Sequence, residues 1–143
     1  MNRGSKRRRS VDADYRALSE FRYHIRRYLE FSDQAAKARG IEPRQYQLLL
    51  AIRGLPEDCE PTIGVLAEQL GVRHHSAVEL VDRTEGNNLV RRRRIGTRVH
   101  VRVTSKGQRL LARAMEDRLL ELRDAAPVLV KALQQLMTAR GKR

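Results

Sequence analysis

The chain has 143 residues, with 30 Lys and Arg against 17 Asp and Glu, a formal net charge of +13 and a pI near 11.1. That length fits one compact domain with room for a dimerisation region, and 41% hydrophobic residues suffice for a core. Aromatics at 4% with no Trp disfavour a β-sandwich or an aromatic RNA platform, while the charge implies a polyanionic partner, because Lys and Arg displace counterions condensed on phosphate.

Residues 1–10 (MNRGSKRRRS) hold Arg3, Lys6, Arg7, Arg8 and Arg9 with nothing apolar to bury, and read as a disordered basic arm. Such an arm tracks phosphates or enters a minor groove; the plainer reading is a solvated tail that raises non-specific affinity. From Asp12 to about Arg39, Tyr15, Leu18, Phe21, Ile25, Tyr28 and Leu29 recur at three- and four-residue steps, predicting an amphipathic helix. Gly40 stands where a C′ glycine ends it. Its stripe is longer than a small core needs, which suggests a partner helix from a second subunit.

Pro43 is placed to start a helix running through Arg53, with Tyr46, Leu49 and Leu50 inward and Gly54 as its cap. The segment LPEDCEP, residues 55–61, reads as an acidic surface loop. It contains the sole cysteine, Cys59, which excludes an internal disulfide and fits a reducing cytoplasm. Glu57, Asp58 and Glu60 surround that thiol, the opposite of the cationic setting that activates one.

Thr62 is a good N-cap for a helix over Ile63 to Leu70, and Gly71 supplies the turn into the next helix. That helix covers about 74–86. Ala77, Leu80, Val81 and Thr84, at i, i+3, i+4 and i+7, would pack inward. His75, Ser76, Glu79 and Arg83 form the opposite face, with Arg73 and His74 at the entry. A buried inner face and an outer face of hydrogen-bonding groups suit base-edge readout.

Leu89 to Ile95 reads as a strand carrying Arg91 to Arg94, with Gly96-Thr97 at the tip. Arg98 to Thr104 alternates, Val99, Val101 and Val103 against Arg98, His100 and Arg102. This hairpin is a basic wing over 89–104, placed to touch flanking phosphates through Arg93, Arg94, Thr97 and Arg98. The plainer reading is a charged edge that resists aggregation. Thr104 caps a helix to about Asp124, and Pro127 is placed to start a last one; Arg140 to Arg143 form a basic tail. No stretch reaches the roughly 18 apolar residues of a membrane span, and no apolar segment follows the basic start as in a secretory leader. The expectation is a soluble, cytoplasmic protein.

Several short stretches resemble the MarR family of winged helix-turn-helix transcription factors. They are Thr62-Ile63, Leu66 to Val72, Ser76-Ala77-Val78, Leu80 to Arg83, Leu89-Val90-Arg91, Val99, Val101, Val103-Thr104 and Lys106-Gly107. The order of elements is also similar over nearly the whole chain. The resemblance implies a mainly α (α+β) fold, a winged helix-turn-helix whose N- and C-terminal helices form an intertwined dimerisation region. A single domain would span 11–143, with dimerisation helices 11–39 and 105–140 and a DNA-binding region 43–104. It further implies a homodimer with recognition helices in successive major grooves and wings in adjacent minor grooves. His75, Ser76, Glu79 and Arg83 are the DNA-facing positions it carries over. Members commonly place Asp, one residue, then Arg before the returning strand; here Ile95 and Thr97 stand at those places, and Arg94 or Arg98 would supply the arginine. A small-molecule effector is a further implied partner, its identity unspecified; the oxidant-sensing cysteine of some members has no counterpart in the first helix.

The resulting expectation is a sequence-specific regulator, a repressor, on a pseudo-palindromic duplex DNA site, with no cofactor. A non-specific architectural DNA-binding protein is the alternative. An enzyme is disfavoured: His24, His74, His75, His100 and Cys59 show no metal-ligand spacing, and adjacent His74 and His75 cannot share a helix face. A membrane-surface protein is disfavoured because the wing arginines lie on a strand.

Overall fold

The structure, a computed structural model, describes residues 3–139. In chain order they form α1 (Arg3–Ala38), α2 (Pro43–Arg53), α3 (Ile63–Leu70), α4 (His74–Gly86), β1 (Val90–Ile95), β2 (Arg98–Val103) and α5 (Ser105–Ala139). The strands pair antiparallel in a two-stranded sheet.

Two boundaries differ from the sequence expectation. The first helix begins at Arg3, so most of the segment expected as a disordered arm is helical. Arg and Lys are good helix formers, and neither proline nor a stop signal separates them from the amphipathic stretch behind. Met1 and Asn2 lie outside the described residues, as does the tail from Arg140. At the other end, Pro127 sits inside α5 instead of starting a separate helix. Proline costs the ladder one donor, but Ala125 and Ala126 carry the helix up to it and no glycine stands between Gln108 and Ala139.

The described chain divides into two compact units. One comprises residues 33–117. α1 closes there with Gly40 N–H bonded to Lys37 C=O at 3.0 Å and Ile41 N–H to Ala36 C=O at 3.0 Å. This pattern needs positive φ at the glycine, and Gly40 has φ 75°. Ile41 is thereby turned into the core. Leu48 and Leu49 of α2, Leu66 of α3, Val81 of α4, Val90 of β1 and Val101 of β2 are fully buried together with Ala114 of α5. Leu50, expected inward, is exposed and Leu48 takes the inward place. At 100° per residue both flank Leu49, and the core lies on the Leu48 side.

The second unit combines residues up to 32 with those from 118 on. Ala17 and Ala132 are buried in it, as is Arg118, whose Nε donates to Ser32 Oγ at 2.7 Å. Large apolar side chains stay outside: Tyr15 is 69% exposed, Leu120 62% and Met137 73%. A stripe left uncovered by its own chain is one that another surface can bury.

Candidate nucleic-acid interface

The site is built on α3, the Gly71 turn and α4. Thr62 caps α3 by accepting from Val65 N–H at 3.3 Å. Gly71, at φ 64°, reverses the chain, and Val72 N–H returns to Ala67 C=O at 3.0 Å. α4 then packs through Ala77, Leu80, Val81 and Thr84, all buried as their spacing predicts. Thr84 satisfies its hydroxyl internally by donating to Leu80 C=O at 2.6 Å. Burial of this face fixes the opposite one outward: His75, Glu79 and Arg83 are exposed and Ser76 half-buried, with Arg73 and His74 exposed at the entry.

Arg73 occupies the N-cap position of α4 and offers no side-chain acceptor to the first turn. Among the described residues no side chain caps that turn, so its N–H groups suit an anion, and the helix dipole favours negative charge at that end. Arg44, in the first turn of α2, lines an open groove together with Arg73, Ser76, Glu79 and Arg83. Sequence reasoning missed Arg44. A lone cation behind Pro43 carries no signal until the fold sets α2 beside α4. Arg83 is partly occupied, with Nη2 3.6 Å from Glu42 Oε1.

The hairpin register pairs Val90 with Val103, Arg92 with Val101, Arg93 with His100, Arg94 with Val99 and Ile95 with Arg98. Gly96, at φ 63°, holds the two-residue tip, where strand twist demands a positive φ. Pairing puts Val90, Arg92 and Arg94 on the face of Val99, Val101 and Val103, and Arg91, Arg93 and Ile95 on the other. The four-arginine run is therefore split between the two faces. Arg92 turns toward α4, where its Nη2 donates to Asp82 at 2.5 Å, its Nη1 to Glu85 at 3.0 Å and its backbone N–H to Glu85 at 2.7 Å. Burial alone would lower its pKa, but the hydrogen bonds to the two carboxylates outweigh that and raise it. Arg91, Arg93 and Arg94 are exposed and make no ion pair among the described residues. Thr97 is exposed at the tip.

Arg98 and His100 depart from the expected open face. Arg98 is exposed but ion-pairs with Glu60, and the His100 Nε2 lies 3.8 Å from the same carboxylate. His100 is buried, with neither ring nitrogen hydrogen-bonded. The cause is the acidic loop, which runs beside β2 closely enough for Val101 N–H to bond Pro61 C=O at 2.9 Å. The alternation pattern places His100 correctly on its face but gives no sign that a loop covers it.

The wing root is held to α5. Thr104 Oγ1 donates to Asn88 C=O at 2.6 Å and accepts from Gly107 N–H at 3.0 Å, and Lys106 Nζ donates to Asn87 C=O at 3.1 Å. A Cβ on Gly107 would stand 2.2 Å from Leu89 O, so only glycine admits this approach.

Residues 39–97, which contain α2 to α4 and the first wing strand, match the family model described as MarR family. Over that stretch the chain is similar to the MarR family. Solved MarR structures share its fold. A MarR family protein from Bacillus stearothermophilus is 24% identical with a TM-score of 0.70, over 94% of this chain and 98% of that one. The oxidized form of MarR from E. coli is 18% identical, TM-score 0.64, over 81% and 90%. A mutant of MepR from S. aureus bound to an oligodeoxyribonucleotide is 21% identical, TM-score 0.58, over 81% and 94%. No curated protein matches. Within this fold, mostly helical with a two-stranded wing, the tip carries Ile95 and Thr97 and not the acid and arginine that the resemblance implies there.

Proposed function

We propose that the protein is a sequence-specific DNA-binding transcriptional regulator acting as a homodimer on a pseudo-palindromic operator. The observation that carries this reading is α4 itself. One face is buried to the last residue, while the other presents hydrogen-bonding groups beside an unsatisfied helix N-terminus and Arg44 and Arg73. α4 enters the major groove with Ser76, Glu79 and Arg83 toward base edges, and His74, His75, Arg44 and Arg73 near the backbone. The wing follows the flanking backbone through Arg93, Arg94 and Thr97. Arg94 is the better candidate for the minor groove, since Glu60 holds Arg98. The related MepR was solved on an oligodeoxyribonucleotide, which supports duplex DNA as partner.

The exposed apolar residues of the terminal helices support a second copy as their cover. Two-fold symmetry then sets half-sites roughly 34–36 Å apart. The regulatory sense we propose is repression, relieved by a small-molecule effector, in the cytoplasm; the similarity of residues 39–97 to the MarR family supports it. No helix among the described residues is long and apolar enough to cross a membrane.

The test is fluorescence anisotropy of labelled duplexes across a salt series. A steep fall of affinity with salt, together with altered sequence preference in Ser76→Ala and Arg83→Ala, is the expected result. Equal affinity for every duplex would instead favour an architectural DNA-binding protein.

A further inference from the structure

We infer that Glu79 reads a cytosine in each half-site; this deepens the duplex-DNA reading and rests on it. α4 has three carboxylates, and two are committed: Asp82 and Glu85 both bond Arg92 of the wing. Glu79 is exposed and makes no hydrogen bond or ion pair among the described residues. It is also the one acid lining the groove between α2 and α4, where Arg44, Arg73 and Arg83 supply cations.

A free carboxylate on the face turned toward a polyanion is unfavourable unless it meets a donor, since two like charges about 4 Å apart repel by roughly 1 kcal/mol even in bulk water. Phosphates offer only acceptors. Ionised Glu accepts and cannot donate, so among base edges it is repelled by the N7 and O6 of guanine and by the O4 of thymine. Cytosine itself presents only its N4 amino donor and no acceptor on its own major-groove edge, whereas adenine sets N7 beside its N6 amino group. The carboxylate therefore selects cytosine first. Position agrees with the chemistry: Glu79 lies one turn beyond His75 and Ser76 and one before Arg83 on the outer stripe of α4, the part of a recognition helix that reaches bases.

The experiment selects bound duplexes from a random pool at one stated salt concentration, in parallel for the full chain, Glu79→Gln and Glu79→Ala. Melting temperatures verify that the exposed substitutions leave the fold intact. The wild-type sites carry an invariant cytosine in each half. Glu79→Gln moves that position toward adenine, which glutamine bonds through N6 and N7, and Glu79→Ala relaxes it. Replacing the cytosine by pyrimidin-2-one, which lacks only the amino group, weakens the wild type about tenfold and leaves Glu79→Ala unchanged. A wild type that selects a site while both variants select the same one overturns the cytosine assignment and leaves the regulator reading standing. A wild type that selects no site overturns both.

Discussion

Replacing Arg92 with alanine should cost stability, whereas replacing its neighbour Arg93 should cost only DNA affinity. The Arg92 guanidinium bonds Asp82 and Glu85, and its side chain is 27% exposed. Charge-assisted hydrogen bonds contribute about 1.5–3 kcal/mol each when buried and about 0.2–1 kcal/mol at the surface. The two here lie between, so Arg92→Ala should lose about 2 kcal/mol, since it also leaves the Asp82 and Glu85 carboxylates without their shared cation. In a domain of this size that is a fall of roughly 5–10 °C in melting temperature. Arg93 is exposed and bonds no other described side chain. Arg93→Ala should change stability by less than about 0.5 kcal/mol and should flatten the logarithmic salt dependence of DNA binding by about 0.9 per lost phosphate contact. Differential scanning fluorimetry and salt-series anisotropy on both variants separate the outcomes. Equal melting temperatures for the two variants would refute the division of the arginine run into a fastening residue and a DNA-facing one.

Further outcomes follow from single contacts. Gly107→Ala should destabilise by about 1–3 kcal/mol in chemical denaturation, because the added methyl meets the Leu89 carbonyl and the backbone must shift. Glu60→Gln should release Arg98 from its ion pair and tighten DNA binding a few-fold at low salt, with the gain gone at high salt as surface pairs are screened. Thr62→Ala should cost about 1 kcal/mol through the lost cap of α3. The double substitution Leu120→Lys, Met137→Lys places charges on residues already exposed in one copy; sedimentation should then show monomer, and a persisting dimer would place the interface elsewhere.

The parts of the fold legible in the sequence are those governed by short-range rules. Ala77, Leu80, Val81 and Thr84 declared the inner face of α4 by spacing alone, and Gly40 and Gly71 marked helix ends that need a left-handed residue. The alternation of β2 likewise separated Val99, Val101 and Val103 from Arg98, His100 and Arg102. What stayed hidden depends on neighbours distant in sequence. Arg92 looks like Arg93 until the register turns it toward Asp82 and Glu85, and Arg44 gains meaning only beside α4. His100 follows the polar alternation yet is buried, because the Glu60-Pro61 segment lies across it. Local rules also misled, as at Leu50, which is exposed while Leu48 takes the inward place. Pro127 is a strong start signal but lies within α5, and a run of basic residues read as an arm is continued as helix from Arg3.

Hydroxyl-radical footprinting on a site selected from random DNA tests whether two copies present α4 symmetrically to one duplex. Two protected patches related by two-fold symmetry, centred about one helical turn apart, are the predicted result. Uniform protection without symmetry or a preferred position would contradict it.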